Sequence, residues 1–365
     1  MLLSALPAAA QEASAAQPAV AASTAASADP TPAAPVPRWI AVPRVAGRLR
    51  AADIGLVINA ADTYSVEVGE HYIRSRGLLP AQVLRLELPP GPVLTLPEFE
   101  RLQRAINDHF GPAAQALALA WVAPYAVGCN SITGALALGF DAALCQNSCA
   151  PSRASSYFNS ASSRPWAEHG LRPAMLLAAR SVESAKALID RGVAADGRLA
   201  LRAGPPVSAL FLTTADSARN VRARLYPPAG MQASVGVEML VIPADRLPQS
   251  TRILLALTGS AKLGLTPALD WMPGALADHL TSFGGALLAS NGQDTALDWI
   301  ESGATASHGT VSEPCNHLQK FPHPQVLLLH YLQGSTAIEA YWKSVAWPQQ
   351  ALFVGEPLAA PFSPW

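Results

Sequence analysis

A chain of 365 residues, half of them apolar and only 14% charged, has the material for a large buried core, which excludes disorder for most of its length. Twenty-five Lys and Arg balance twenty-six Asp and Glu, for a formal net charge of −1 with no block of like charges, so neither nucleic acid nor an anionic bilayer surface is expected as a partner. The longest apolar windows, such as QALALAWVA and QVLLLHYL, fall far short of the ~20 residues that span a membrane, and no transmembrane helix is expected in the mature chain.

Residues 1–10, MLLSALPAAA, read as the remnant of a secretory signal: apolar at Leu2, Leu3 and Leu6, a helix-ending Pro7, then small residues up to Gln11, without a basic leader. Residues 11–37 are almost wholly Ala, Pro, Ser and Thr, which bury too little to offset chain entropy and therefore form a tether. An α/β domain is expected over residues 38–365. DIGLVINA (53–60) is a strand ending at a small-residue turn, and a helix over 64–76 is stopped by Gly77. A strand over 82–88, a helix over 96–110 with Pro97 in its first turn and Gly111 behind it, and a strand over 116–123 complete a βαβαβ opening. Residues 140–170, rich in Ser, Cys, Asn and Pro, are too long for an ordinary connection. They mark a lid-like insertion or a boundary between halves 38–139 and 171–365.

The pattern then resumes, with strands over 172–180, 207–214, 235–242 and 252–259 and helices over 182–191, where Gly192 supplies the stop, and over 216–226. Helices over 273–284, 294–303 and 335–345 surround a last pair of strands, ATASHGT and QALFVGEP. Short strands spaced by single helices predict an α/β fold, a mostly parallel twisted sheet flanked by helices on both faces.

Chemistry concentrates in GATASHGTVSEPCNH, which packs His308, Glu313, Cys315 and His317 into ten positions behind a strand. Ligands of open α/β sheets sit outside the carboxyl ends of strands, so His308, Glu313 and the loop from Asp141 to Trp166 are the expected binding rim. Cys315 and His317 form a candidate thiolate and base if Asn316 turns the backbone, and His308 is a further candidate base. The even count of four cysteines fits oxidation after export, with Cys145 expected to pair with Cys149, and Cys129 with Cys315. His308, Glu313, His317 and His323 lack a zinc-type spacing, so no metal is expected. Neither GxGxxG nor a P-loop follows a strand, and no cofactor is expected. Asp278, His279 and Ser282 fall on one predicted helix, where capping and packing account for them. Trp166 and Trp271 lie in Pro-adjacent loops where an indole can stack on a sugar, whereas Trp299 and Trp342 belong to the core.

VINAADTYSVEVGEHYIRSRGLLPAQVLRLELP, PGALADHLTSFGG, GATASHGTVSEP and SVAWPQQALFVGEPLAAPF, in that order and across nearly all of residues 51–363, resemble an uncharacterised exosortase-associated family of exported bacterial proteins. The order of elements, with a terminal GEP after the last strand, is also similar to the gingipain-type cysteine peptidases of caspase-like fold. That resemblance implies a His-Gly after one strand and a Cys after the next. Here Thr258-Gly259 occupies the first place, and no cysteine lies between Cys149 and Cys315. The implied protein is an exported envelope module with a peptidase-like fold lacking its dyad, binding or scaffolding a cell-envelope or extracellular component. The alternative is a hydrolase using Cys315 with His317 or His308.

Overall fold

The computed structural model describes residues 38–201, 204–246, 252–264, 269–289 and 291–364. The expected signal remnant and tether lie outside the described residues. Strand β1 (Ile54–Asn59) is buried at every position, as a central parallel strand must be when both its faces are covered. Helix α1 (Thr63–Arg76) follows, with Asp62 accepting from the Tyr64 N–H at its start and Gly77 in the left-handed region at its end. After β2 (Val83–Leu86) and the short β3 (Val93–Leu94), α2 (Leu96–Phe110) opens on a Thr95/Glu98 capping box and buries Phe99, Leu102, Ile106 and Phe110. Gly69 of α1 packs on Ile58 while Phe110 of α2 packs on Gly55, so these helices cover opposite faces of β1.

The chain continues through β4 (Ala116–Leu119), the small ladder β5 (Ala126–Val127) and β6 (Asn130–Ser131), and helices α3 (Ile132–Leu138), α4 (Ala143–Gln146) and α5 (Pro165–His169). Then come β7 (Ala174–Leu176), α6 (Val182–Ala195), β8 (Val207–Thr213), β9 (Gly230–Gln232), β10 (Val237–Pro243), β11 (Ile253–Thr258), β12 (Trp271–His279), α7 (Ala296–Ser302), β13 (Ala306–Thr310), α8 (Pro324–Leu332), α9 (Ala337–Ser344) and β14 (Ala351–Gly355). Among the described residues eleven of these strands form one sheet in the order β2-β1-β4-β7-β14-β13-β12-β11-β8-β10-β9, and β3, β5 and β6 form a small second one.

Pairing directions divide the sheet. β2, β1, β4, β7 and β14 are mutually parallel, and so are β13, β12, β11, β8 and β10, but β13 and β14 meet antiparallel. The two parallel sets thus present their carboxyl ends at opposite edges of the sheet. Each set also contains a reversal of strand order, between β1 and β4 in the first and between β8 and β11 in the second. Ligand crevices of open α/β sheets form at such reversals. The α/β architecture with a mostly parallel sheet and helices on both faces is the one expected.

Several expected elements differ. Residues 273–284 form no helix; most of them belong to β12, hydrogen-bonded between β11 and β13. The expected helix over 216–226 reduces to a 3-10 turn, Asn220–Leu225. Helix α6 runs past Gly192 to Ala195, because that glycine is needed for contact: a Cβ there would sit 2.5 Å from Cγ of Glu356.

Candidate functional site

The two reversals have opposite fates. At the second, the segment after β8 fills the crevice. A Cβ on Gly259 would overlap the Arg219 carbonyl, Thr214 Oγ1 donates to the Gly259 carbonyl at 3.2 Å, and Arg219 Nε reaches Thr281 Oγ1 at 3.4 Å. Beneath this plug lies Arg222, wholly buried, which donates from Nη1 to Asp278 Oδ1 at 2.5 Å and from Nη2 to the Thr258 carbonyl at 3.0 Å. Burial pushes the Asp278 carboxyl up, and Arg222 opposes that shift. His279 is equally enclosed: its Nδ1 accepts from Trp299 Nε1 and its Nε2 faces the Asp294 carbonyl, each at 2.9 Å. Both nitrogens are therefore committed, and burial holds its pKa down to about 4. Asp278 and His279 form structural contacts on a strand, not the helix predicted for them.

At the first reversal the crevice is open. A cleft of about 810 Å³ lies beyond the carboxyl ends of β1, β2, β4 and β7. That volume suits a small organic ligand or a short segment of chain. Its floor is Asn59, its rim Asp62, Thr63 and Arg180, and its apolar walls Leu88, Pro89, Val122, Leu287, Leu288 and Leu297. Leu288 is 61% exposed, an apolar group left in water at the cleft mouth. The wall it belongs to is set by a backbone crossing, in which Gly284 and Gly285 lie directly over Gly309 of β13.

The polar groups are fixed by local structure. Tyr64 on α1 donates from its hydroxyl to the Leu177 carbonyl at 3.1 Å and accepts from the Ala179 N–H at 2.8 Å, tying the end of β7 to the helix. Burial pushes this phenol far above its ordinary range, so it stays neutral. Arg180 pairs with Asp298 at 2.8 Å, and Asp62 caps α1. Asn59 Oδ1 accepts from the N–H groups of Ala61 and Leu88 at 3.2 and 3.0 Å. The described lining contains no Cys, Ser, His or Lys. Its oxygen-bearing side chains are those of Asn59, Asp62, Thr63 and Tyr64.

The residues singled out from sequence lie elsewhere. His308 is not on a rim. It is wholly buried two residues inside the end of β13, between the rings of Phe321 and Phe353 at 5.9 and 5.5 Å, with no partner on either nitrogen and a pKa driven far down by burial. The segment that follows β13 is tied to the chain around Cys129 and to the loop that starts at Asp141. Ser312 Oγ donates to the Cys129 carbonyl at 2.7 Å and Lys320 Nζ to the Ser148 carbonyl at 2.6 Å. Glu313 Oε1 accepts from the Cys315 N–H, and Asp141 exchanges backbone hydrogen bonds with the side chain of Asn130. Trp166 sits on α5 under the Arg172 guanidinium, 3.9 Å away, and Trp271 opens β12 edge-on to Trp299. Trp299 and Trp342 are core, as expected.

The cysteine pairing corrects the expected one. Cys129 bonds Cys145 and Cys149 bonds Cys315, with Cα separations of 5.1 and 5.2 Å, and no described cysteine is free. Asn316 does turn the backbone, in the left-handed region as Cys315 is, but the sulfur is in a disulfide and the His317 ring lies 5.8 Å from that of Trp347. A disulfide sulfur is not a thiolate, so the oxidised chain has no nucleophile at this position. The functional candidates missed from sequence are Asn59, Asp62 and Arg180, all at strand-to-helix junctions. An Asn ending an apolar strand three residues before an Asp cap is the signal that was available.

No protein-family model matches the chain, and no curated protein matches it. Among solved structures, the crystal structure of the Arg-specific cysteine proteinase gingipain R is similar at 12% identity and a TM-score of 0.43, over 85% of this chain and 78% of that one.

Proposed function

We propose that this chain is an exported, disulfide-bonded binding module of the cell envelope, associated with exosortase-type sorting, that takes its ligand in the cleft at the carboxyl ends of β1, β2, β4 and β7. The contrast between the two strand-order reversals carries the reading: one is open and lined by apolar walls with a few fixed polar groups, the other is plugged by Arg219 and Arg222. Two disulfides suit an oxidising compartment. The absence of His-Gly at Thr258-Gly259 and the tied sulfur of Cys315 fit a peptidase-like domain that no longer cleaves.

The test is a free-thiol titration of the unreduced, denatured protein recovered from the periplasm or medium, with N-terminal sequencing of the same sample. Zero thiols and a mature terminus near Gln11 are expected. A free thiol at Cys315, or an intact Met1 species confined to the cytoplasm, refutes the reading.

A further inference from the structure

Asn59 differs from every other polar group in the cleft. It is 5% exposed, it ends β1 at the cleft floor, and its Oδ1 is held by two backbone N–H donors, from Ala61 and Leu88. Two N–H donors can converge only on an oxygen, so the orientation of the amide follows from its neighbours. Its Nδ2 then has no partner among the described residues, while the residue lines the cleft. The Nδ2 group is not sealed from solvent, so it opens on the cleft as a fixed donor, and the group that would replace water on it is an acceptor oxygen.

The surroundings narrow the class of ligand. The cation of Arg180 is already matched by Asp298, and its backbone N–H by Glu301. Asp62 adds a carboxylate to the rim, committed only to capping α1, so a second carboxylate or a phosphate entering the cleft meets like charge. Leu88, Pro89, Val122, Leu287 and Leu288 offer apolar contact on both sides of the floor. Resting on the binding-module reading, we infer that the cleft recognises an uncharged carbonyl ligand of secondary-amide type with apolar substituents, whose oxygen accepts from Asn59 Nδ2.

The experiment titrates full-length oxidised protein with four probes, N-butylbutanamide, hexanoate, hexylamine and N-acetylglucosamine, following amide and side-chain N–H₂ resonances by NMR. The expected result is saturable binding of N-butylbutanamide with a shift of the Asn59 side-chain pair, and binding at least about tenfold weaker for the other three, the value of one desolvated hydrogen bond. Asn59→Asp keeps an oxygen for the Ala61 and Leu88 N–H groups but removes the donor, and should weaken the amide about tenfold. Leu288→Ser, at an exposed position, should weaken it severalfold with the fold unaffected. If Asn59→Asp melts well below the wild type, the Asn59 resonance shift in the wild type decides alone. Equal binding of the butyl amide, hexanoate and hexylamine, or binding without an Asn59 shift, overturns the carbonyl assignment and leaves the binding module standing. Preference for N-acetylglucosamine overturns the apolar flanks. No binding of any probe overturns both the carbonyl assignment and the cleft as the ligand site.

Discussion

Gly309 is where one methyl group should disturb both stability and the cleft. It lies in β13, and a Cβ built on it overlaps the carbonyl carbon of Gly284 and the nitrogen of Gly285 and comes within 2.5 Å of the Gly284 oxygen. The closest contact is 2.1 Å to the Gly284 carbonyl carbon, and non-bonded carbons need roughly 3.5 Å, so the crossing backbone must retreat by more than about an ångström, while Gly285 N donates to the Thr310 carbonyl at 2.9 Å and holds it down. Overpacking of this kind costs about 1–3 kcal/mol, and the upper end applies because backbone and not a flexible side chain is in the way. With an unfolding entropy of about 2.1 cal/mol/K per residue and more than 300 folded residues, about 3 kcal/mol lowers Tm by roughly 4 °C. Calorimetry and guanidinium titration of Gly309→Ala measure it. Ser307→Ala is the control on the same face of β13, since it removes a buried hydroxyl without a partner and should change stability by less than about 1 kcal/mol. Because the crossing leads into Leu287 and Leu288, Gly309→Ala should also weaken ligand capture. A Gly309→Ala variant within about 1 kcal/mol of the wild type would show that the crossing is not the tight contact described.

Other perturbations read out the plugged half. Removing one partner of the buried Arg222–Asp278 pair, as in Arg222→Met, should cost about 3–5 kcal/mol by denaturant titration, and adding Asp278→Leu should recover most of it; additive losses would contradict a coupled pair. His279 is neutral in the fold, with a pKa of about 4 against 6.5 in the unfolded chain, so between those values the unfolded state binds more protons. Its contribution is present in full above pH 6.5 and is lost as pH falls toward 4, roughly 3 kcal/mol in all. Burial lowers His308 and His330 in the same direction, so stability measured against pH should fall over this window, and a flat profile would contradict neutral buried histidines. Non-reducing peptide mapping should recover Cys129–Cys145 and Cys149–Cys315, and the Cys149→Ser/Cys315→Ser variant should lose up to about 5 kcal/mol in the chain-entropy model for a separation of 166 residues.

Most of the sheet was legible because its strands are short apolar runs punctuated by glycine, proline and capping residues. IGLVIN, ALAL and ILLALT are buried throughout, and the helices over 63–76 and 96–110 carry their own caps. Residues 273–284 failed for a physical reason. A strand buried on both faces has no period of two, and ALADHL is as good a helix-former as any, so only the flanking ladders of β11 and β13 decide. Gly192 misled in the opposite sense. A glycine ends a helix when it must turn left-handed, but this one is selected for the close approach of Glu356 and stays helical.

The site was less legible because placement, and not residue type, separates a rim from a core. ATASHGT puts a histidine near a strand end, but the strand continues to Thr310 and two phenylalanines close over the ring. Sequence adjacency suggested Cys145–Cys149. Cys145 lies on α4 and Cys149 just beyond it, and their two sulfurs reach Cys129 and Cys315 on separate segments. The open crevice follows from strand order, in which β2 lies on one side of β1 and β4 on the other, an order that the run of elements alone does not fix. The segment directly behind the strand determines which of the two reversals stays open. After β1 the chain turns at once into a capped helix, whose start and the end of β1 contribute the floor and rim. After β8 an arginine-bearing turn, Asn220–Leu225, folds back and buries Arg222 against Asp278. One crevice is therefore filled by the protein's own guanidinium and carboxylate, and the other keeps an unspent amide donor for a ligand.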